Sequence, residues 1–464
     1  MDCPVLIQKI LLKAPLRRGG REWRSLNPVI GEHTPAGAHG NAGGQIPFFM
    51  YLCFMNLNIF LADKIGSKAD STGRLSRTGT VISVVSVSLS IAVIIVATAV
   101  SNGFRSEIGG KARGFSGDIV LASPGEDIVG ESGPVRISYK ERIRELPFVE
   151  RVEGVSYRHG ILKTPDEIGG VLFKGVDSTC SLDFYARYLD EGRLPEFTGN
   201  KISNEIMISR RLADMLNYKV GDKVDAYFVG EQVRVRRFNL VGIFGAQLEQ
   251  LDKYLAVADI RHIARLNGWD DGVSGYELYL ASGASRQDME AIDDVIYSNS
   301  TEGDSPVAAT SMQEKYYVLF DWLRLLDVNV FILLALMISV AGFNMVSGLL
   351  IMLFERISQI GLLKAMGMTN MAVSRIFLTK SAMVVLRGML WGNAAALLLC
   401  LLQKYFGIIT LNPDNYFVSA VPVDFSLISI LGMNLVAFVA IMLIMLLPCM
   451  FISRISPAAT MRVK

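Results

Sequence analysis

Residues 80–100 read TVISVVSVSLSIAVIIVATAV and carry no charged side chain. A helix needs about 20 consecutive, mostly apolar residues to cross the hydrocarbon core of a bilayer, and this run has that length. Three further stretches share the apolar character, and they lie at 328–354, 382–403 and 425–452. A buried core helix would explain any one of them, but it does not explain four of this length. The sequence therefore predicts four transmembrane helices.

The composition agrees with this prediction. Of the 464 residues, 51% are hydrophobic and 19% are charged, and the mean hydropathy is +0.36. A soluble domain seldom combines so much apolar character with so few charges. The 46 basic and 44 acidic residues give a net charge of +2, which leaves no basic excess for binding nucleic acid. We therefore expect a membrane protein with no nucleic-acid partner.

Basic residues cluster in alternate segments between the predicted spans. They are Lys64, Lys68, Arg74 and Arg77 before the first span, Arg356, Lys364, Arg375 and Lys380 between the second and third, and Arg454, Arg462 and Lys464 after the fourth. The loop between the third and fourth spans instead carries Asp414 and Asp424. Because short loops rich in Lys and Arg stay in the cytoplasm, this distribution places both termini there. The long segment after the first span then lies outside.

These features predict a membrane α-helical fold with four transmembrane helices, arranged 1 + 3, and a large α+β extracytoplasmic domain between the first and the second. The predicted segments are a disordered or spurious extension (1–54), a cytoplasmic amphipathic segment (55–79), the first span (80–100), the outer domain (101–322), the second span (328–354), a cytoplasmic segment (355–381), the third span (382–403), a short outer loop (404–424), the fourth span (425–452) and a cytoplasmic tail (453–464).

The N-terminal extension lacks the features of a folded or spanning segment. Residues 1–45 mix arginines with many glycines and show little apolar periodicity, and the apolar patch at 46–54 is too short to cross a bilayer. Our hypothesis is that translation begins at Met55, which the intact mass of the native protein would test. Apolar residues then recur on one helical face at Leu57, Phe60, Leu61 and Ile65. This pattern predicts a short helix that lies on the inner leaflet or packs against a neighbour.

The outer domain is long enough to bury a core, as one unit or as two small lobes. Strand-like runs lie at Asp118–Ala122, Gly170–Gly175, Glu205–Ile208, Gln232–Val235 and Tyr276–Leu280. Helical patterns lie at Ser138–Leu146, Ser209–Leu216, Asp259–Leu266 and Arg286–Ile296. Because strands and helices alternate irregularly, the pattern favours an α+β domain over a doubly wound sheet.

Motifs that carry catalysis are missing from the sequence. It contains no HExxH, no GxSxG and no GxxxxGK[ST], and the five cysteines and four histidines show no metal-type spacing. The acidic pairs Asp270/Asp271 and Asp293/Asp294 lie in polar stretches, where adjacent carboxylates are usually solvated. We therefore assign no catalytic, cofactor-binding or metal-binding residue, and we expect a domain that binds.

A motif after the second span carries a family resemblance. Residues 355–378 read ERISQIGLLKAMGMTNMAVSRIFL, with FDWLRLLDVN at 320–329 upstream and RISPAATMR at 454–462 near the C-terminus. Together with the WGN of the third span, these motifs resemble the permease family that includes LolC and LolE, the MacB-type efflux permeases and FtsX. The likeness covers about Met55 to Lys464 and is strongest for the LolC/LolE branch. It implies one span, a periplasmic domain and three further spans, as hydropathy and charge predict.

The segment 355–381 is unusual because it is short, cytoplasmic and partly apolar. Apolar residues rimmed by charges suggest docking with another protein, and glycines permit close backbone approach. An amphipathic helix that rests on lipid headgroups is the alternative. The resemblance implies that a separate ATPase docks here, and the residues that match the family motif are Glu355, Arg356, Gly361, Lys364, Ala365 and Gly367. Pro457 and Arg462 match the family's ending.

The resemblance implies a permease subunit that transmits ATPase motion to its periplasmic domain and releases lipoproteins from the inner membrane. ATP and Mg would bind to the partner, so this chain itself is expected to be no enzyme and to hold no cofactor. The expected partners are a cytoplasmic ABC ATPase dimer, a second permease subunit (a copy or a paralogue), lipoproteins and a periplasmic lipoprotein chaperone. The expected location is the bacterial inner membrane, multi-pass.

Two alternatives remain open from the sequence. One is an efflux or cell-wall-hydrolase-regulating permease of the same superfamily. The other is a membrane-anchored sensor or receptor without an ATPase, and this second alternative leaves the apolar cytoplasmic segment unexplained.

Overall fold

The structure is a computed structural model that describes residues 74–451, apart from residues 126, 130–132, 166, 200, 231, 249–252, 270–271 and 282. The predictions for the extension (1–54), for residues 55–73 and for the tail (453–464), which includes Pro457 and Arg462, lie outside the described residues. So does the acidic pair Asp270/Asp271.

The described elements follow the order of one helix, a mixed domain and then further helices. The helices are α1 (Arg74–Ser116), α2 (Lys140–Arg144), α3 (Asp183–Arg187), α4 (Arg210–Leu216), α5 (Ile260–Asn267), α6 (Arg286–Asn299), α7 (Met312–Lys315), α8 (Tyr317–Glu355), α9 (Ile357–Ala365), α10 (Asn370–Phe406), α11 (Pro413–Tyr416) and α12 (Leu427–Phe451). The strands are β1 (Ile119–Ala122), β2 (Val149–Lys163), β3 (Ile168–Val176), β4 (Leu189–Gly192), β5 (Glu205–Ser209), β6 (Lys223–Phe228), β7 (Arg234–Phe244), β8 (Leu255–Asp259), β9 (Gly275–Leu280) and β10 (Ala308–Ser311).

Among the described residues, four helices are long and apolar enough to cross a membrane, namely α1, α8, α10 and α12. The predicted 1 + 3 arrangement with a domain between the first and the second is confirmed. Helix α1 continues beyond the apolar run at 80–100, and α8 begins ahead of the run at 328–354. These additional turns pack on the domain through apolar side chains such as Phe104, Phe115 and Leu319.

Small residues allow α1 and α10 to pack closely. A Cβ atom on Gly392 of α10 would lie 2.6 Å from the carbonyl oxygen of Ser88, and one on Gly388 would lie 2.8 Å from the side chain of Val87. Polar side chains inside the bundle are paired: the Asn393 and Asn434 amides exchange two hydrogen bonds of 2.9 Å. Such pairing satisfies groups that lipid cannot.

The strands join into one mixed sheet in the order β10-β1-β9-β2-β3-β8-β5-β7-β4, and β6 pairs with both β2 and β7. The pairs β3–β8 and β5–β7 are parallel, and the others are antiparallel. Because β6 bridges β7 and β2, strands β2, β3, β8, β5, β7 and β6 form a closed ring. We call residues 117–316 the intervening domain.

The intervening domain has two lobes that share β2. The ring encloses Leu162, Phe173, Phe228 and Phe238, and the helices α4 and α5 pack against the same apolar cluster. In the other lobe, β1 and β9 bury Ile119, Leu121, Leu278 and Leu280 against α2 and α6. The α+β class is confirmed.

Local predictions differ from the structure in several strands: β2, β4, β6, β8 and β10 were not among the predicted runs, and one predicted run is displaced. The strand-like run Gln232–Val235 contains strand only from Arg234, where β7 begins, and β7 then continues to Phe244. The 15-residue strand β2 was not predicted, because its sequence VERVEGVSYRHGILK mixes charges and glycines with apolar residues. Its shape comes from pairing with three strands: β3, which follows it directly, and the distant β6 and β9.

Candidate functional site

The predicted docking segment is a short helix set between two long ones. Helix α8 ends at Glu355, and Arg356 takes a non-helical conformation (φ −105°, ψ 14°) that separates it from α9. After α9, Thr369 caps α10, and its side chain accepts a hydrogen bond from the Ala372 amide. The chain therefore turns twice within a few residues, and α9 forms a separate surface element at this end of the bundle.

Gly367 ends α9 in a left-handed conformation with φ +94°. The Gly367 amide donates to the Lys364 carbonyl at 3.0 Å, and the Met368 amide donates to the Leu363 carbonyl at 3.1 Å. This pair of bonds is the Schellman motif, in which glycine avoids the strain of a side chain at positive φ. Gly367 thus has a backbone role, and it sets the angle between α9 and α10.

One side of α9 packs into the helix bundle. Ile360 is 1% exposed and belongs to an apolar cluster with Leu353, Val373 and Phe377. Gly361 is buried beside it. These contacts tie α9 to the ends of α8 and α10.

The opposite side of α9 is apolar and exposed. Leu362 and Met366 are one helical turn apart and are 57% and 64% exposed, and Phe354 at the end of α8 is 65% exposed. Ala365 is exposed between them. We call Phe354, Leu362, Ala365 and Met366 the docking patch. Apolar surface of this kind, rimmed by polar residues, commonly marks a site of protein interaction.

The six residues predicted for this site take different places in it. Glu355, Ala365 and Gly367 are exposed, Arg356 and Lys364 are half-buried, and Gly361 is buried. Partial burial lowers the pKa of Lys364. The predicted set omits Phe354, Leu362 and Met366, although apolar residues in a short charged segment were the signal that points to them.

The opposite ends of α1 and α8 are fixed to each other and to the intervening domain. The Ser101 hydroxyl donates to Asp327 at 2.9 Å, and Arg105 forms an ion pair with the same carboxylate. Further along α1, the buried Lys111 ammonium donates to the carbonyl of Phe417 at 3.0 Å. The loop between α10 and α12 is thereby attached to α1.

The last turn of α1 is held by a buried ion pair in the domain. The Lys174 ammonium donates to the carbonyl of Phe115 at 2.6 Å and lies 2.8 Å from a carboxylate oxygen of Glu277. Burial lowers the pKa of Lys174, but the pairing with Glu277 outweighs it and the net shift is upward. Tyr157 donates to the other oxygen of Glu277 at 2.8 Å. The membrane helix and the β-sheet are thus connected by satisfied polar groups.

Metal-type clusters are not seen in the part of the chain that the structure describes: no group of three or more His, Cys, Asp or Glu side chains is arranged to hold an ion. Cys180, Cys400 and Cys449 are free thiols. The described residues therefore form an interaction surface and a rigid connection between the helices and the domain. They form no metal centre of this kind.

Two family models match the chain. The MacB-like periplasmic core domain matches residues 80–295, and the FtsX-like permease C-terminal matches residues 331–457. The first covers α1 and most of the intervening domain, and the second covers α9, the docking patch and the helices on both sides of it.

Curated relatives span most of the chain. The lipoprotein-releasing system transmembrane protein LolC of Xylella fastidiosa (strain 9a5c) is 23% identical over 395 residues, which are 82% of this chain and 92% of that protein. LolC of Neisseria meningitidis serogroup B is 24% identical over 74% of this chain and 84% of its own length. LolE of Haemophilus influenzae is 20% identical over 81% of this chain and 92% of its own length.

Solved structures are similar over less than half of the chain. The periplasmic region of MacB from Actinobacillus actinomycetemcomitans has 12% identity and a TM-score of 0.32, and the match covers 45% of this chain and 95% of that one. The extracellular domain of YknZ, a noncanonic ABC-type transporter from Gram-positive bacteria, has 16% identity and a TM-score of 0.29. That match covers 42% of this chain and 99% of that one.

The two family matches are consecutive, and together they extend from the first membrane helix to the last. The curated relatives described above match 74–82% of this chain. The chain belongs to the FtsX/MacB-like permease superfamily, whose LolC and LolE proteins it resembles along most of its length.

Proposed function

We propose that this chain is the permease subunit of an ABC transporter that releases lipoproteins from the bacterial inner membrane. The names of the LolC and LolE relatives, whose similarity extends over both the membrane helices and the intervening domain, support this proposal. Efflux and cell-wall regulation are less favoured, because the LolC and LolE relatives are named for lipoprotein release.

The observation that carries the mechanism is the length of two helices. Helix α1 has 43 residues and α8 has 39, so at 1.5 Å per residue they extend about 65 Å and 58 Å. A bilayer core is about 30 Å thick. Each helix is therefore long enough to cross the membrane and still project into the intervening domain without a break. We propose that these helices transmit motion of a cytoplasmic partner to that domain.

The partner that drives this motion is a separate ABC ATPase, which binds ATP and Mg and docks on the docking patch. The four exposed apolar residues give it a surface, and Ile360 connects that surface to the bundle. Glu355, Arg356, Gly361, Lys364, Ala365 and Gly367 belong to this site as rim, packing or turn residues. The proposed orientation places α9 and both termini in the cytoplasm, in agreement with the flanking Lys and Arg residues.

A second permease subunit packs against the membrane helices, and α8 is the helix with most surface left for it. Only 11% of the apolar window of α8 is buried within this chain, compared with 39% for α1 and for α10. Lipoproteins and a periplasmic chaperone complete the proposed set of partners on the outer side.

Purification of the full chain from native membranes in mild detergent, followed by mass spectrometry, tests this function. We expect an ABC ATPase and lipoproteins to accompany the chain. An ATPase without lipoproteins would contradict the proposed cargo and favour efflux or cell-wall regulation. Absence of any ATPase in several detergents would contradict the transporter itself.

A further inference from the structure

An open cleft of about 200 Å³ lies where the end of α1 meets the intervening domain. Gly110 and Gly114 of α1 line it, together with residues of β2, α3 and β9. A Cβ atom on Gly110 would have no neighbour within 4 Å, so the helix leaves this space open. A water molecule takes about 30 Å³ of the liquid, and the cleft therefore holds a group several times larger.

Three arginines from three different elements line this cleft: Arg113 of α1, Arg151 of β2 and Arg187 of α3. Asp183 is the acidic residue that lines it, and the Ser181 hydroxyl donates to that carboxylate at 2.7 Å. The lining thus carries three positive charges and one negative charge. Convergent guanidinium groups are the usual protein partners of phosphate, because their forked N–H groups match its oxygens.

Two of the guanidinium groups are held in place and still have donors to offer. Arg113 lies 3.0 Å from Asp118 through Nε and 3.3 Å from Glu150 through Nη2, which leaves Nη1 outside these pairs. Arg151 lies 3.3 Å from Glu153 through Nη1, and its guanidinium stacks 4.3 Å above the ring of Tyr279. These carboxylates balance the charge of the two guanidinium groups. Together with the Leu280 carbonyl, which accepts from Nη2 of Arg113, they also fix the groups before a ligand arrives, which reduces the entropy lost on binding.

Arg187 is different from the other two. Its side chain is exposed on the short helix α3 and forms no ion pair with any residue that the structure describes. Its donors and its full charge are therefore available to a ligand in the cleft.

We propose that this cleft binds a phosphate group carried by a water-soluble molecule. A lipid headgroup offers the same chemistry, but the distance of the cleft from the membrane argues against it. Gly110 lies ten residues beyond Val100, which is about 15 Å along the helix. The headgroup layer adds only about 5–8 Å beyond the hydrocarbon core on each side. The site lies apart from the docking patch and does not depend on the transport proposal.

Chemical protection of the arginines tests this site in the full chain reconstituted in nanodiscs. Phenylglyoxal modifies accessible guanidinium groups, and peptide mass spectrometry measures the modification at each arginine. We expect inorganic phosphate to protect Arg187 and Arg151 saturably, whereas chloride at the same ionic strength does not. Arg265, which is exposed on α5 and does not line the cleft, is the internal control and stays unprotected.

A variant tests whether Arg151 and Arg187 bind the same phosphate group. In Arg187→Ser, the phosphate concentration for half-maximal protection of Arg151 should rise about tenfold, since one charge-assisted contact is lost. Arg265→Ser should leave it unchanged. Equal protection by chloride, protection of Arg265, or an unchanged midpoint in Arg187→Ser would overturn the proposal. Protection by phosphatidylglycerol nanodiscs without phosphate, absent with phosphatidylcholine, would overturn the soluble source.

Discussion

Lys174 and Glu277 show how a single pair joins a membrane helix to a soluble domain. Their side chains are 3% and 0% exposed, and Lys174 also donates to the last turn of α1. Removing one member of a buried pair leaves an uncompensated charge, whereas removing both can be nearly neutral. The residues lie on β3 and β9, about a hundred positions apart, so no sequence pattern indicates that they meet.

We predict that Lys174→Met lowers the free energy of unfolding of the domain by about 3–5 kcal/mol, because Glu277 is left buried without its cation. The measurement is urea unfolding of the full chain in detergent, followed by tryptophan fluorescence. The double variant Lys174→Met/Glu277→Leu should be no less stable than the single one. A double variant whose loss is the sum of two large losses would contradict this explanation.

His262 gives the domain a pH dependence. Burial lowers its pKa below the usual 6.5, although the nearby Asp259 acts in the opposite direction, and its Nε2 lies 2.9 Å from the Asn204 side-chain oxygen. A lowered histidine pKa stabilises the fold above about pH 6.5, and that stability is lost as the pH falls through the folded-state pKa. We predict a lower urea midpoint at pH 5.5 than at pH 7.5. His262→Gln should reduce the difference between the two midpoints. If the difference stays the same in this variant, groups other than His262 cause it.

Gly367 illustrates what the sequence could and could not predict about the docking site. The motif at 355–378 identified the segment, and its glycines suggested close approach to a partner. The structure instead places Gly367 in a left-handed turn, where a side chain such as tryptophan would strain the backbone itself. A defect in Gly367→Trp would therefore not distinguish docking from misfolding, and an exposed residue makes a better test.

At the scale of elements, α9 depends on its exposed face for binding and on Ile360 for its attachment. We predict that Leu362→Asp abolishes co-purification of the ATPase while expression and thermal stability are retained, because Leu362 is 57% exposed and its replacement leaves no cavity. Val229→Asp is the matched control, since Val229 is equally exposed in the intervening domain. Normal ATPase recovery with Leu362→Asp would exclude the docking patch as the contact.

The contact between α1 and α10 depends on glycine. We predict that Gly392→Ala destabilises the protein by about 1–3 kcal/mol, because the added methyl group meets the Ser88 carbonyl at 2.6 Å. The measurement is the melting temperature in detergent, which should fall. Gly432→Ala in α12 is the control, since a Cβ there has no neighbour within 4 Å. It should be neutral or slightly stabilising, because alanine favours a helix. Equal melting temperatures for the two variants would contradict close packing at Gly392.

Elements were predicted where the signal is local. Hydropathy identified the four membrane helices, and helical patterns identified α4 and α5, whose first turns are capped by Ser209 and Asp259. Strand β2 was missed because its stability comes from pairing with β3, β6 and β9 rather than from its own residues. The cleft at Arg187 was missed for the same reason, since its arginines come from separate elements.

At the scale of the whole molecule, one path connects the docking patch to the intervening domain. It runs from α9 into α8 and, through contacts at Ser101, Arg105 and Asp327, to α1. Helix α1 then enters the domain at Lys174. The order of spans and domain was predictable from hydropathy and charge. The rigid junction was not, because it depends on polar contacts between residues far apart in the chain.

In the proposed function, ATP hydrolysis by a docked partner drives this chain to release lipoproteins. This function is tested by release from proteoliposomes that contain lipoprotein, this chain and the separately added ATPase, with a soluble chaperone outside. We predict that lipoprotein appears in the supernatant only with ATP, and that proteoliposomes prepared with the Leu362→Asp chain and the same ATPase release none. Release without ATP, or ATP hydrolysis by the intact complex without any release, would contradict the account.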